Sequence, residues 1–147
     1  MLQRLFHVNI CVRDMERSIR FYQGLGLKKV NDFTLDDPSV GDALGMKAKT
    51  LRGVFMRLGD DANAPVLDLV QFIDPPTQGL PYPTLNNVGI CRIAVTVDDI
   101  DKTYEELKAK KVEFVAPLKK IEVGGAKISV VCFKDPDGTV LELLSGM

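Results

Sequence analysis

The chain has 147 residues, 46% of them apolar, and its 19 basic and 20 acidic side chains leave a net charge of −1. That length fits one compact domain, or two small modules sharing a core. The charge balance argues against a nucleic-acid-binding surface, and no apolar run approaches the roughly 18 residues that span a bilayer.

His7 to Arg13 alternates, with Val8, Ile10 and Val12 on one face and His7, Asn9 and Cys11 on the other, as in a half-buried strand. Asp14 stands at a helix N-cap with Glu16 in the first turn. Met15, Ile19, Tyr22 and Leu25 form one apolar stripe, and Gly26 suits the left-handed residue that ends the helix. Lys28 to Thr34 reads as a strand. Residues 36–50, with Pro38, Gly41 and Gly45, form a long excursion in which Val40, Ala43, Leu44 and Met46 suggest a short helix. Arg52 to Leu58 and Val66 to Ile73 read as strands, separated by a turn at residues 59–65. Pro75, Pro76, Gly79, Pro81 and Pro83 then break regular structure, which makes 74–87 a linker.

The order then repeats: a strand at 90–97, a helix from Asp98 or Asp99 to about Lys110, and strands at 112–116, 126–133 and 139–145. The repeat is also one of residues. HVNICVRD at 7–14 aligns with RIAVTVDD at 92–99, an offset of 85 positions. Met15, Ile19, Tyr22, Leu27 and Val30 fall on Ile100, Tyr104, Leu107, Val112 and Val115 at the same offset. Two copies of one βαβββ unit, 5–73 and 88–146, are therefore expected within one domain spanning 1–147. In place of the 36–50 excursion the second copy has only residues 116–122.

The three cysteines, at 11, 91 and 132, belong to no CxxC pair. They read as small buried hydrophobes in a reducing compartment. The first residues, 1–7, are too short and too polar for a signal peptide, so a cytoplasmic protein is expected.

A lone βαβββ module buries little core. The expected α+β fold therefore pairs two tandem modules into a curved eight-stranded mixed sheet around a cavity, with the helices on the outer face. Alternation points His7, Asn9, Cys11, Arg92, Asp68, Val70, Glu142 and Leu144 inward. Val54, Met56 and Val130 complete an apolar lining.

Together with FYQGLGLKKV at 21–30 and FKDPDGTVLELL at 133–144, these modules resemble the vicinal oxygen chelate superfamily. That group contains glyoxalase I, bleomycin-resistance proteins and extradiol dioxygenases. The resemblance covers essentially the whole chain. It implies a divalent metal (Zn, Mg, Mn or Ni) on one side chain from the first and last strand of each module, here His7, Asp68, Arg92 and Glu142. His7, Asp68 and Glu142 can ligate. Arg92 cannot, because a guanidinium has no lone pair and keeps its charge.

The preferred reading is that no cofactor is needed and that the cation of Arg92, between Asp68 and Glu142, replaces the metal. A site of His7, Asp68 and Glu142 with a divalent ion is the alternative. His7, Glu142 and Arg92 are then the candidate catalytic residues, with Asp68, Asn9, Cys11, Val54, Met56, Val70, Val130 and Leu144 binding ligand. Two functions stay open. One is a glyoxalase-like lyase, isomerase or epimerase moving a proton on a small oxo-acid or thioester. The other is a bleomycin-resistance-like protein that binds a small molecule without catalysis. A homodimer is expected, with neither nucleic acid nor membrane as partner.

Overall fold

A computed structural model describes all 147 residues, and they divide into two compact units, Met1–Gly79 and Leu80–Met147. The division falls inside the proline-rich stretch. Each unit is a four-stranded mixed sheet with a helix packed on one face, so the fold is α+β. No helix is long and apolar enough to cross a membrane.

The first unit runs β1 (His7–Cys11), α1 (Met15–Gly24), β2 (Lys28–Asp36), α2 (Pro38–Ala43), β3 (Thr50–Arg57) and β4 (Val66–Asp74). Its strand order is β1-β4-β3-β2, with β1 parallel to β4 and the other pairs antiparallel. The last strand thus lies beside the first, and residues far apart in sequence become neighbours on one face. Helix α1 begins where the capping pattern puts it, with Asp14 accepting a hydrogen bond from the Arg17 amide. It ends before Gly26, whose φ of +97° a side chain would disfavour. Met15, Ser18, Ile19 and Tyr22 are buried, against a sheet face that carries Ile10, Val12, Val54, Met56 and Leu69. An ion-pair network ties helix to sheet. Arg52 bonds Glu16 of α1 at 2.7 Å and Asp32 of β2 at 2.9 and 2.8 Å. The Arg52 guanidinium holds the Asp32 carboxyl well below the usual carboxylate range.

The second unit runs β5 (Ile93–Thr96), α3 (Ile100–Ala109), β6 (Lys119–Val123), β7 (Ala126–Lys134) and β8 (Val140–Ser145), in the order β5-β8-β7-β6. Asp99, not Asp98, caps α3. Ile100 and Leu107 are buried, as are Val131, Phe133, Leu141 and Leu143 on the helix-bearing face.

Two expectations are corrected here. Residues 112–116 are not a strand. They touch β7 through one bridge, Phe114 with Phe133, and the paired strand starts only at Lys119. Pro117 lies between the two stretches; it has no amide hydrogen and biases the residue before it, so the ladder is interrupted there. The loop of this unit is therefore the tight Gly124-Gly125 turn rather than 116–122, and both glycines have positive φ. The cysteines are also not core residues. Cys11 is exposed, Cys91 and Cys132 are half-buried, and all three are free. Cys11 and Cys132 occupy the alternate positions that face away from the helices.

Candidate functional site

In the first unit the pairing of β1 with β4 sets Asn9 beside Asp68 and Cys11 beside Val70. The pairing of β3 with β4 sets Phe55 opposite Asp68 and Gly53 opposite Val70. His7, Asn9, Cys11, Phe55, Asp68 and Val70 therefore share the face that α1 leaves open. Val54 and Met56 do not. Their register partners are Leu69 and Leu67, and both are fully buried on the helix side. The expected lining is corrected by one residue, with Phe55 and Gly53 in their place.

Asp68 is the centre of this face. Its side chain is 9% exposed. Asn9 donates from Nδ2 to Oδ2 at 3.2 Å, and His7 Nδ1 lies 3.9 Å from the same oxygen, too far for a hydrogen bond. The other oxygen, Oδ1, is buried without a partner. Burial pushes the Asp68 carboxyl above its ordinary value, against the opposing pull of the His7 charge and the Asn9 bond. Cys11 is farther along the strand, with Sγ 3.7 Å from Thr77 Oγ1.

Phe55, opposite this carboxylate, and His7 belong to a cluster of four rings. Phe6 and Phe33 both meet Phe55 edge to face, at centroid distances of 5.8 and 5.3 Å, and His7 lies 5.4 Å from Phe6. Phe33 can lie flat across β3 because residue 53 is glycine. A Cβ there would come within 2.7 Å of Phe33 Cε2 and 3.0 Å of Cε1. Arg57, two residues beyond Phe55 on the same face, has a buried Nε without an acceptor. Reading the sequence missed this cluster. Its signal was the odd-numbered set Leu51, Gly53, Phe55 and Arg57, alternate to the set assigned to the lining.

In the second unit β8 aligns Glu142 with Ala94 of β5 and Cys132 of β7, and Leu144 with Val130. Glu142, Leu144, Val130 and Cys132 thus share the face turned away from α3, where Val130 and Leu144 were expected. Arg92 Nε lies 3.0 Å from Glu142 Oε1. The Arg92 side chain is 41% exposed and that of Glu142 10%. The Glu142 bond raises the Arg92 pKa further, so the cation is permanent. Cys132 donates to the same Oε1 at 3.7 Å, and its thiol is pushed up by burial and by the neighbouring carboxylate. Arg92 Nη1 donates to Cys91 Sγ at 3.6 Å.

Chemically the two faces differ. The first unit offers an imidazole beside a carboxyl that burial pushes above its ordinary value, with the Phe55 ring opposite. The second offers a fixed cation whose carboxylate partner is already engaged. In the second unit a divalent ion finds a poor set of donors. The oxygen it would take from Glu142 accepts from a guanidinium, and the residue aligned with His7 is that same cation. Neither unit gathers three His, Cys, Asp or Glu side chains into a set able to hold a metal ion.

The fold is shared with known structures. A glyoxalase family protein from Bacillus cereus is 21% identical, with 98% of this chain and 94% of that one covered and a TM-score of 0.84. The trypanothione-dependent glyoxalase I of Leishmania major is 25% identical, with 99% and 88% covered and a TM-score of 0.66. A glyoxalase family protein from Enterococcus faecalis is 22% identical, with 97% and 98% covered and a TM-score of 0.68. No curated protein sequence matches the chain. The family model for the Glyoxalase/Bleomycin resistance protein/Dioxygenase superfamily matches residues 4–143, nearly the full length, and the chain belongs to that superfamily.

Proposed function

We propose that the chain is a glyoxalase-like enzyme that moves a proton on a small oxo-acid or thioester and does so without a metal. The observation that carries this reading is the Arg92–Glu142 ion pair at 3.0 Å. A cation that needs no cofactor stands at a position the family gives to a metal ligand. With its side chain partly exposed and only Nε engaged by Glu142, Arg92 is suited to hold a carboxylate or carbonyl oxygen. Glu142 fixes the orientation of that fork.

In the first unit His7 is the proton-moving group. Its imidazole can both accept and release a proton, and the Asp68 carboxyl lies 3.9 Å from Nδ1. Likeness to a trypanothione-dependent glyoxalase I, itself an enzyme, supports catalysis over simple binding. The aromatic face around Asp68 favours the second reading, a protein that sequesters an apolar small molecule.

The two readings separate in one experiment. A panel of 2-oxo acids and acyl thioesters is incubated with the protein and a chelator in deuterated water, and loss of the α-proton signal is followed by NMR. The enzyme reading predicts exchange that survives the chelator and falls by about a hundredfold or more in His7→Gln and Arg92→Gln. Saturable thermal stabilisation by a compound that is never exchanged or converted would instead establish sequestration.

A further inference from the structure

We propose that the open face of the first unit's sheet binds a planar aromatic or heteroaromatic small molecule that donates a hydrogen bond to Asp68. The inference rests on the reading of the chain as a small-molecule protein, but on neither of its catalytic and sequestering forms.

Three observations converge. Asp68 is nine-tenths buried yet has a carboxylate oxygen without a donor. A buried acceptor left unmatched is costly, so a ligand that brings a donor gains more there than on open surface. Second, Phe55 lies opposite that carboxylate and His7 beside it, and both belong to a larger group of rings. Phe6, His7, Phe33 and Phe55 form a continuous ring cluster with neighbouring centroids between 5.3 and 6.3 Å apart. Phe6 is 50% exposed and the His7 side chain 40%, so ring surface is available at the edge of the cluster. Third, the cluster is built into the backbone. Gly53 is the position that lets Phe33 lie across β3, and any side chain there would collide with the ring.

A ligand meeting these features has a π-surface to pack against the rings and a hydroxyl or N–H at its edge. A saturated ligand of the same size would lose the quadrupole contribution of ring packing, and an ether would lose the donor.

The probes are 2-naphthol, 2-methoxynaphthalene, which has no donor, and decahydro-2-naphthol, which has no π-face. Each is titrated into ¹⁵N-labelled full-length protein while the amide shifts of Asn9, Phe55 and Asp68 are followed. The expected result is saturable shifting at these amides by 2-naphthol, with each control about tenfold weaker or worse. Phe55→Leu should abolish the preference for naphthol over its decahydro analogue. Asp68→Asn should reduce the preference over the methoxy compound. Phe6→Ala, at an exposed position, guards against variants that fail to fold, and should weaken all aromatic probes.

Equal binding of the three probes, or shifts confined to other residues, overturns the proposal. So does a concentration-dependent dimer in ultracentrifugation that Phe6→Ala abolishes, because a second copy would then be the occupant. Absence of proton exchange with naphthol binding intact leaves this inference standing and removes only the enzymatic reading.

Discussion

Asp68→Asn is the sharpest perturbation of the candidate site. Asp68 sits opposite Phe55 with 9% of its side chain exposed, and burial raises its pKa above the ordinary 3.8. A carboxyl with a raised folded-state pKa binds its proton more tightly when folded. The native state is therefore unpenalised below the ordinary value and loses stability as pH climbs through the folded value. Asparagine keeps the shape, can still accept from Asn9 Nδ2, and carries no charge. One unmatched buried oxygen costs on the order of 1–3 kcal/mol, and the amide relieves only the ionic part. We expect Asp68→Asn to stabilise the protein near neutral pH by about 1 kcal/mol, roughly 2–4 °C in Tm for a chain of this size. The gain should vanish below the ordinary carboxylate value, where both states are protonated. Urea or thermal unfolding at both pH values checks this. Destabilisation near neutrality, or a gain that persists in acid, would refute the reasoning from burial.

Gly53→Ala drives a methyl group into Phe33, whose Cε2 and Cε1 would lie 2.7 and 3.0 Å away. The clash should cost about 1–3 kcal/mol in urea unfolding and displace the Phe33 resonances. Ser18 is fully buried in α1 with an unpartnered hydroxyl, so Ser18→Ala should be neutral or raise stability by up to about 1 kcal/mol. Arg52→Met removes the link between Glu16 and Asp32. Because these side chains are partly exposed, the loss should stay near 1 kcal/mol and shrink in high salt, as salt-titrated unfolding would record.

Much of the fold was legible because each unit repeats local signals that agree with one another. Asp14 and Asp99 are caps whose side chains reach the amide three residues on, and the stripes Met15–Ile19–Tyr22 and Ile100–Leu107 follow the helical period. Parity along β1 was also readable, since it alternates polar with apolar residues, and the carboxylates Asp68 and Glu142 marked one face of the largely apolar β4 and β8. Parity along β3 was not. Both of its faces carry apolar side chains, Val54 and Met56 on one and Leu51 and Phe55 on the other, so only the pairing of Phe55 with Asp68 decides. The aromatic cluster was hidden for the same reason, and because Phe6, Phe33 and Phe55 come from three segments. Strand β6 was misplaced because the β-rich residues 112–115 precede a proline that interrupts the ladder. Of the expected place of Arg92 between Asp68 and Glu142, the contact with Glu142 is present, and its signal was one mismatch in the repeat, Arg92 over His7.

Under the proposed function, Arg92 takes the place of a metal ion. The most direct test is the metal content of protein purified without chelators, measured by mass spectrometry and compared with Arg92→His, which restores a lone pair beside Glu142. The account predicts only traces of divalent metal in the natural protein and more in the histidine variant. About one tightly held equivalent per natural chain would contradict it.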